Sequence, residues 1–477
     1  MNRRDFLKNC VPMSIGIAGG FVLGNRCVAA GGHLLSNSSL DIRIGNKRLN
    51  VLFIAIDDLN DWIGCLGGHP DAKTPNLDRL AQRGVLFTSA HCAAPACNPS
   101  RAALMTGIRP STSGVYKNPD PWRDFMPDVI TLNQHFRANG YKAMSRGKIY
   151  HGKFPDTGPG AWDEFIPRGS DPPPLKTHPR YLNPISNIEW GPVDGTEQDM
   201  DDFKVATWAA ERLQQKHDKP FFLACGFFKP HLRWCVPEEY FDMFPPESVT
   251  LPNIDENDLD DIPPPGVKMA GRSTHDKITS LNAWRDGVAA YLASGAFVDK
   301  QVGRVLDALD NSAYRDNTII VLWSDHGWHL GEKLHWKKFA LWEEATHNLL
   351  MFVVPGMTRP GSRCDQPVGL IDIYPTLIDV CGLTPREGLE GRSLMPFLRN
   401  SGATWERPAL TTHGRLNHSL RTKRWRYIRY SDGTEELYDR GNDPLEWKNL
   451  LWPERPLAAE HRQIAVELTK WLPKKNY

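Results

Sequence analysis

The sequence lacks a net charge of either sign, a high cysteine content and any long apolar run beyond its N-terminal region. Its 477 residues include 57 Lys and Arg against 56 Asp and Glu, which leaves a formal charge of +1. Because a chain without a strong overall field is not drawn to polyanions as a whole, we expect no nucleic-acid partner. No later segment is apolar for long enough to cross a bilayer, so we expect no stable membrane insertion. An anionic ligand would have to be met by local charge.

The first 30 residues have the features of an export signal. Arg3-Arg4 precedes Phe6-Leu7-Lys8, and a Gly-rich apolar run over 11–24 leads to the small residues Val28-Ala29-Ala30. The run is too short to span a bilayer comfortably, and the paired arginines resemble a twin-arginine signal. The alternative is an ordinary secretory signal that begins with two arginines. Both predict a bacterial protein that is exported to the periplasm or the exterior.

Apolar strand patterns alternate with helical patterns over most of the chain. The strand patterns are near-continuous apolar runs, as in a parallel sheet that is covered on both faces, and they occupy 51–56, 141–145, 221–226, 318–323 and 349–354. The helical patterns begin at Thr74-Pro75 and cover the apolar positions of 203–213 and 288–309. This alternation predicts an α/β fold with a mostly parallel central sheet sandwiched by helices, in a catalytic domain over 46–400.

The pattern changes near residue 401. Residues 421–430 and 436–439 are typical of short antiparallel strands, and a helical pattern follows near 457–472. We therefore expect a smaller C-terminal α+β subdomain over 401–477. Two earlier stretches, 150–200 and 245–280, are rich in Pro, Gly and Asp, which predicts surface insertions.

Polar side chains follow four of the predicted strands. They are Asp57 and Asp58, Lys148 and His151, His231, and Asp325 with His326. In open α/β sheets the ligand site lies beyond the carboxyl ends of the strands, so these side chains are expected to converge. Several carboxylates in one place stay ionised only beside a cation, and hard oxygen ligands select Ca²⁺ or Mg²⁺. Taken singly, a tandem Asp is more often a turn or a helix cap, and a lone His is more often structural.

Cys97 is predicted to begin a helix. Pro99 suits the first turn of a helix that runs on to Gly107, and Arg101 falls on the same face as Cys97. Free N–H groups at the helix N-terminus favour an anion there. A buried thiol without a function is the alternative for an isolated Cys.

The segment Cys97-Asn98-Pro99-Ser100-Arg101, with Ala-Ala-Leu-Met-Thr-Gly after it, closely resembles the signature of the type I sulfatases of the alkaline-phosphatase superfamily. The resemblance covers nearly the whole mature chain and includes Asp57-Asp58, Thr74-Pro75-Asn76-Leu77-Asp78, Gly147-Lys148, Lys229-Pro230-His231, Ser324-Asp325-His326-Gly327 and Glu436-Leu437-Tyr438-Asp439. The stretch from His326 to Glu332 and the spacing of Lys148 and His151 are most similar to the iduronate-2-sulfatase branch.

The resemblance implies a calcium ion and a modified cysteine. A maturation enzyme would convert Cys97 to formylglycine (3-oxoalanine), and one Ca²⁺ would be held by residue 97 with Asp57, Asp58, Asp325 and His326. Many family members have Asn where His326 stands, so His326 is either a metal ligand or a contact of the nucleophile or the bridging oxygen. Arg101 would hold the hydrated aldehyde.

The resemblance also implies a reaction. Lys148, His231 and Lys338 would contact the sulfate, with Lys338 chosen over Lys337 by counting from Trp336. A hydroxyl of the hydrated aldehyde would attack sulfur, and His231 would protonate the leaving sugar oxygen. His151 would then take the proton from the second hydroxyl as sulfate departs.

A sulfated sugar or polysaccharide fragment is the expected substrate. Trp328 is our candidate for contact with a sugar ring, with Trp62, Trp122 and His335 as further possibilities and core packing as the alternative for each. Two other functions stay open: a phosphomonoester or phosphonate ester hydrolase of the same superfamily, and a sulfated-glycan binder that has lost turnover.

Seven of the nine cysteines remain once Cys10 and Cys27 leave with the signal. If Cys97 becomes formylglycine, six are left, an even number that suits an oxidising compartment. Cys225 with Cys235 and Cys364 with Cys381 are plausible disulfides. Six free thiols are the alternative.

Overall fold

The computed structural model describes residues 43–44, 47–152, 155–156, 158, 160–454 and 459–477. The export signal predicted for residues 1–30 lies outside these residues. Leu40–Tyr477 forms one compact unit, so the boundary near residue 400 stays a prediction. Among the described residues, no helix is both long enough and apolar enough to span a membrane.

The strands, in chain order, are β1 Arg43–Ile44, β2 Lys47–Arg48, β3 Asn50–Asp57, β4 Val85–His91, β5 Lys142–Gly147, β6 Glu164–Ile166, β7 Leu182–Ile185, β8 Ile188–Trp190, β9 Phe221–Pro230, β10 Thr318–Ser324, β11 His329–Leu330, β12 Trp336–Lys337, β13 His347–Val353, β14 Ser362–Cys364, β15 Val368–Gly369, β16 Ala409–Thr412, β17 His418–Arg421, β18 Trp425–Arg429 and β19 Glu435–Asp439.

The α-helices are α1 Pro75–Ala81, α2 Cys97–Thr106, α3 Pro110–Ser113, α4 Trp122–Phe125, α5 Leu132–Ala138, α6 Asp201–Gln214, α7 Glu238–Asp242, α8 Pro264–Ala270, α9 Ser273–Ser280, α10 Trp284–Asp310, α11 Glu343–Thr346, α12 Ile373–Cys381, α13 Met395–Arg399 and α14 Ala459–Thr469.

A nine-stranded sheet forms the centre of the molecule. Its order is β14-β4-β13-β10-β3-β9-β5-β6, and β15 also pairs with β4. Only β13 runs antiparallel to its neighbours, β10 and β4, while the other pairings within this sheet are parallel. The predicted fold class, an α/β domain with a mostly parallel sheet, is confirmed.

Strand β3 shows why this sheet is covered on both sides. Val51, Phe53 and Ala55 pack into the core on one face, against helices α2, α5 and α12. The alternate residues, Leu52 and Ile54 among them, pack into the core on the other face, against α1, α6 and α10. Side chains of a strand point alternately to opposite faces, so a continuous apolar run can bury all of its residues only between two layers.

A four-stranded antiparallel sheet, β16-β17-β18-β19, lies in the C-terminal part of the chain. Leu420, Tyr427 and Leu437 of this sheet pack with Leu468 of α14. Its first strand also reaches the segment before Cys97, because the Thr411 hydroxyl donates to the Cys92 carbonyl at 2.6 Å and the Thr412 N–H donates to the Ala93 carbonyl at 2.9 Å.

Several details differ from the sequence prediction. Strand β4 was not predicted, and the single strand expected over 421–430 is divided between the end of β17 and β18. Part of the expected insertion over 150–200 belongs to the core, since Trp190 and Met200 are buried among other aromatic and apolar side chains. Among the described residues, no disulfide joins Cys225 to Cys235 or Cys364 to Cys381, so the two suggested disulfides are not formed.

Candidate active site

The carboxyl ends of four adjacent strands bring the predicted polar residues together. Asp57 ends β3, Lys148 follows β5, His231 follows β9 and Asp325 follows β10, and these strands are neighbours in the order β10-β3-β9-β5. Lys148 is placed by a close backbone approach, because its N–H donates to the Gly226 carbonyl at 2.8 Å. The preceding Gly147 has φ +86°, and a side chain there would collide with that carbonyl.

Cys97 begins helix α2 and is completely buried. Its Sγ lies 3.0 Å from Lys338 Nζ, 3.4 Å from His326 Nε2 and 3.8 Å from Asp58 Oδ1. The nearby His151 side chain helps to lower the pKa of the thiol. Burial raises the pKa of the thiol, but Lys148, Lys338 and His326 hold it well below its ordinary value. The sulfur therefore occupies a position that favours negative charge.

Arg101 forms ion pairs with Asp57 and Asp325 and is also fully buried. Its Nε donates to Asp325 Oδ2 at 2.7 Å, and its Nη2 donates to Asp57 Oδ1 at 3.1 Å. Nη1 donates to the carbonyls of Lys148 and Ile149. Burial alone would lower the pKa of Arg101, but Asp325 and Asp57 raise it, so the guanidinium stays charged. It fixes two carboxylates in one orientation.

Three buried carboxylates, Asp57, Asp58 and Asp325, gather around Cys97. Burial raises the pKa of Asp57, as Cys97 does, but Lys148, His231 and Arg101 bring it below the ordinary value. Burial raises the pKa of Asp325 to about 7 against the effect of Arg101. Ligand atoms of Asp57, Cys97, Asp325 and His326, and of Asp57, Asp58, Cys97 and His231, lie within 4.8 Å of one another in each group.

Asp58 provides the test of whether this cluster suits a cation. Its Oδ1 accepts a hydrogen bond from Lys338 at 2.6 Å, while its buried Oδ2 has no hydrogen-bond partner among the described residues. A buried carboxylate oxygen without a partner is costly, and a hard cation would satisfy it. The donor set of Asp57, Asp58 and Asp325 therefore fits a Ca²⁺ or Mg²⁺ ion.

Two histidines face the cluster through Nε2, because each donates from Nδ1 to a backbone carbonyl. His326 Nδ1 contacts the Gly327 carbonyl at 3.0 Å, and its Nε2 lies 3.4 Å from Asp58 Oδ1 and 3.6 Å from Asp325 Oδ2. Burial lowers the pKa of His326, but Asp325 and Cys97 raise it to about 9. His231 Nδ1 contacts the Leu232 carbonyl at 2.7 Å, and its Nε2 lies 3.9 Å from Asp58 Oδ2. The side chain of His231 is 26% exposed, so a ligand from outside can reach it.

The sequence predicts that Lys148 and Lys338, rather than Lys337, contact the sulfate. Lys148 forms an ion pair with Asp57, and Lys338 reaches both Asp58 and Cys97. Lys337, the neighbour of Lys338, lies in strand β12 and is only half-buried. The structure thus brings Lys338 to the cluster, as the counting from Trp336 suggested.

Trp328 does not lie where a sugar could stack on it. It is 2% exposed, packs against Trp234 and has its ring centroid 5.3 Å from Lys338 Nζ. Trp62, Trp122 and His335 are likewise buried. The burial supports the core-packing alternative for these four residues.

Sequence reasoning missed three residues that hold the cluster in place. Ser100 donates from its hydroxyl to the Asp325 carbonyl at 2.5 Å. Tyr291 and Asn60 contact the backbone around Asp58. Ser100 stands inside the motif around Cys97 and could have been recognised there, whereas Tyr291 lies on a helix 233 residues from Asp58 and has no local signal.

Comparisons with known proteins agree with this geometry. The model of the Sulfatase family matches residues 49–383, and the model of the C-terminal region of N-sulphoglucosamine sulphohydrolase matches residues 331–475. A sulfatase of Formosa agariphila is 43% identical over 84% of this chain and 82% of its own length. The iduronate 2-sulfatase of Homo sapiens is 32% identical over 76% of this chain and 73% of its own.

A solved structure shares the fold. The phosphonate monoester hydrolase of Agrobacterium radiobacter superposes with a TM-score of 0.71 at 22% identity, over 89% of this chain and 94% of its own.

Proposed function

Because the chain belongs to the sulfatase family, whose members are sulfuric ester hydrolases, we propose that it hydrolyses sulfate esters of sugars with a formylglycine made from Cys97 and one bound Ca²⁺. One observation carries the proposal: buried Cys97 lies within hydrogen-bonding distance of Lys338 and His326, beside three carboxylates. Negative groups and positive groups are both fixed around the position of the nucleophile.

The metal would be held by Asp57, Asp58 and Asp325, together with an oxygen of residue 97. His326 is either a fourth protein ligand or a contact of the nucleophile, since its Nε2 faces both Asp58 and Cys97. When bound, the ion would offset the carboxylate charge and lower the pKa of an attached hydroxyl. Arg101 keeps Asp57 and Asp325 in place through an ion pair with each carboxylate.

Formylglycine at residue 97 would supply, in its hydrated form, the hydroxyl that attacks sulfur. The Cys97 sulfur marks where that oxygen would lie, 3.0 Å from Lys338 Nζ. Lys148, Lys338 and His231 would hold the sulfate oxygens and spread their charge over three cationic groups. His231 has its Nε2 turned toward the cluster, so as an imidazolium it can give a proton to the leaving sugar oxygen.

His151 would act in the second step of the reaction, in which sulfate leaves residue 97. Its side chain lies close enough to Cys97 to lower the pKa of the thiol, which would place it beside a hydroxyl of the modified residue. It would accept the proton that must leave residue 97 as sulfate departs. The two histidines thus divide the work of acid and base.

The substrate class follows from the relatives and from the charge of the site. Similarity to an iduronate 2-sulfatase supports a sulfated uronate or a related sugar. Trp328 would act on this substrate only indirectly, through its contact with Lys338. A sulfated carbohydrate and a formylglycine-generating enzyme are the partners, and the N-terminal residues 1–30 support export by the twin-arginine route.

A phosphonate or phosphomonoester hydrolase is the second candidate, because a phosphonate monoester hydrolase shares the fold. Purified protein, made with the maturation enzyme, should be assayed on defined sulfated oligosaccharides and on matched phosphate and phosphonate esters. We expect sulfate ester hydrolysis that is lost on chelation with EGTA and restored by Ca²⁺. A higher kcat/KM on every phosphorus ester than on any sulfate ester would contradict the proposal. Binding of sulfated sugars without turnover, with residue 97 shown by mass spectrometry to be formylglycine, would indicate a glycan binder.

A further inference from the structure

Asp58 has a backbone conformation that an aspartate rarely adopts. Its φ is +61°, in the left-handed region that favours glycine. A residue stays in this region only when its surroundings hold it there. The position matters because the same residue offers the Oδ2 atom, for which the described part of the chain supplies no hydrogen-bond partner.

The hydroxyl of Tyr291 lies against this strained segment. It is 2.8 Å from the Asp58 carbonyl, 2.9 Å from the Asn60 N–H and 3.1 Å from Asn60 Oδ1. A phenol has one proton to donate and can accept as well. The hydroxyl therefore donates to the Asp58 carbonyl and accepts from the Asn60 N–H, which satisfies both backbone groups of the turn.

Asn60 connects the turn at Asp58 to the loop that follows Asp325. Its Nδ2 donates to the Trp328 carbonyl at 3.1 Å, and its Oδ1 accepts from the Trp62 N–H at 3.0 Å. Trp328 lies three residues after Asp325. One tyrosine hydroxyl and one amide thus link the loop after β3 to the loop after β10.

Tyr291 is itself firmly anchored. It belongs to the 27-residue helix α10, it is 1% exposed, and its ring meets Trp62 and Trp234 edge to face with centroids 5.6 Å apart in both cases. Burial raises the pKa of its phenol well above the ordinary value, so the hydroxyl keeps its proton.

We propose that Tyr291 is a positioning residue that holds the Asp58 backbone in its left-handed conformation and so aims the Asp58 carboxylate at the cation site. The inference rests on the proposed Ca²⁺ site. Without the hydroxyl, the Asp58 carbonyl and the Asn60 N–H lose their partner, the peptide can rotate, and the carboxylate turns away from the cluster. Tyr291 is buried and its hydroxyl contacts Asp58 and Asn60, so it would act on the cation site through the turn that carries Asp58.

The test compares two Tyr→Phe variants of the full, matured protein. Tyr291→Phe removes the hydroxyl at issue. Tyr141→Phe is the matched control: its hydroxyl also donates to a backbone carbonyl inside the core, that of Leu49 at 3.1 Å, at the opposite end of β3 from Asp57. Ca²⁺ affinity is measured by calorimetric titration of metal-depleted protein, and kcat and KM are measured at saturating Ca²⁺.

We expect Ca²⁺ affinity to fall about tenfold or more in Tyr291→Phe and to stay at the wild-type value in Tyr141→Phe. At saturating Ca²⁺ much of the lost kcat should return, which a general loss of structure would not allow. Equal Ca²⁺ affinities in the wild type and Tyr291→Phe would overturn the inference. A wild-type protein that binds no Ca²⁺ would overturn the metal site itself, and the inference with it.

A second variant covers the case in which Tyr291→Phe does not fold. Asn60→Ala leaves the tyrosine in place and removes the link to Trp328. We expect a weaker Ca²⁺ affinity in Asn60→Ala, because the Asn60 side chain acts on the same turn as the Tyr291 hydroxyl. An unchanged Ca²⁺ affinity in Asn60→Ala would contradict the proposal that this turn positions the Asp58 carboxylate.

Discussion

Lys338 Nζ donates a hydrogen bond to Asp58 Oδ1 at 2.6 Å and lies 3.0 Å from Cys97 Sγ. One carboxylate thus connects the residues proposed for the metal with those proposed for the sulfate. Burial would lower the pKa of Lys338, but Asp58 and Cys97 raise it, so the ammonium remains charged at any physiological pH. A buried ion pair of this kind is sensitive to the removal of either member.

Replacing Cys97 with Ala should abolish turnover, by at least about 10³-fold in kcat, because no nucleophile remains. The fold should be retained, since Cys97 contributes only a small side chain at a helix N-terminus. Steady-state assays measure the loss of kcat, and thermal unfolding of the same preparation measures whether the fold is retained. Turnover that survives in a folded Cys97→Ala protein would end the proposed mechanism.

Replacing Lys338 with Ala should lower kcat/KM by roughly 10²- to 10³-fold, the scale expected when one fixed charge-stabilising donor is lost. Lys337→Ala is the matched control, because Lys337 is the adjacent lysine and lies only half-buried in β12. We expect that variant to stay within about threefold of the wild type. If the two variants lose activity equally, the assignment to Lys338 is wrong.

Replacing His151 with Asn should slow the release of sulfate more than the release of the sugar alcohol. The side chain lowers the pKa of the nearby Cys97 thiol, and the proposed proton acceptance belongs to the second half of the reaction. Rapid-quench measurements should therefore show a burst of alcohol, near one equivalent per site, ahead of a slow steady state. The absence of a burst, with both products slowed alike, would assign His151 to the first half.

Buried His418 should make the stability of the fold depend on pH, independently of the candidate active site. Burial lowers the pKa of His418 to about 4, below the ordinary value of 6.5. As the pH falls below 6.5, the histidine takes up a proton in the unfolded chain before it does so in the folded chain. The free energy of unfolding is therefore highest above pH 6.5 and falls by roughly 3 kcal/mol as the pH approaches 4. The free energy of unfolding, measured with urea, should change less between pH 7 and pH 4.5 in His418→Gln than in the wild type. Parallel curves would exclude this histidine as the cause.

The sequence was most informative where a strand ends. Continuous apolar runs mark strands that are buried on both faces, and the polar residues directly after them must lie at one edge of the sheet. This pattern predicts that Asp57, Lys148, His231 and Asp325 lie together, and the strand order brings them to one edge of the sheet. The motif around Cys97 added the residue that the strand pattern could not supply.

The remaining differences arise from tertiary context. Strand β4 begins soon after helix α1 ends at Ala81 and carries Thr88 and Ser89 in its middle. It therefore lacks the uninterrupted apolar run that identifies the other strands. Trp328 was judged by its nearness to a motif, but packing against Trp234 and Lys338 decided its place. Tyr291 contacts Asp58 across 233 positions, and no local pattern encodes such a contact.

The hydrogen bonds from Thr411 and Thr412 join strand β16 to the segment before Cys97, and Cys97 itself has no exposed surface in the folded chain. Thr411 is synthesised more than 300 residues after Cys92, so these contacts form late in the making of the protein. An enzyme that converts Cys97 to formylglycine, as we propose, would have to reach the side chain before the chain folds around it. A chain that folds with Cys97 unmodified would lack the proposed nucleophile.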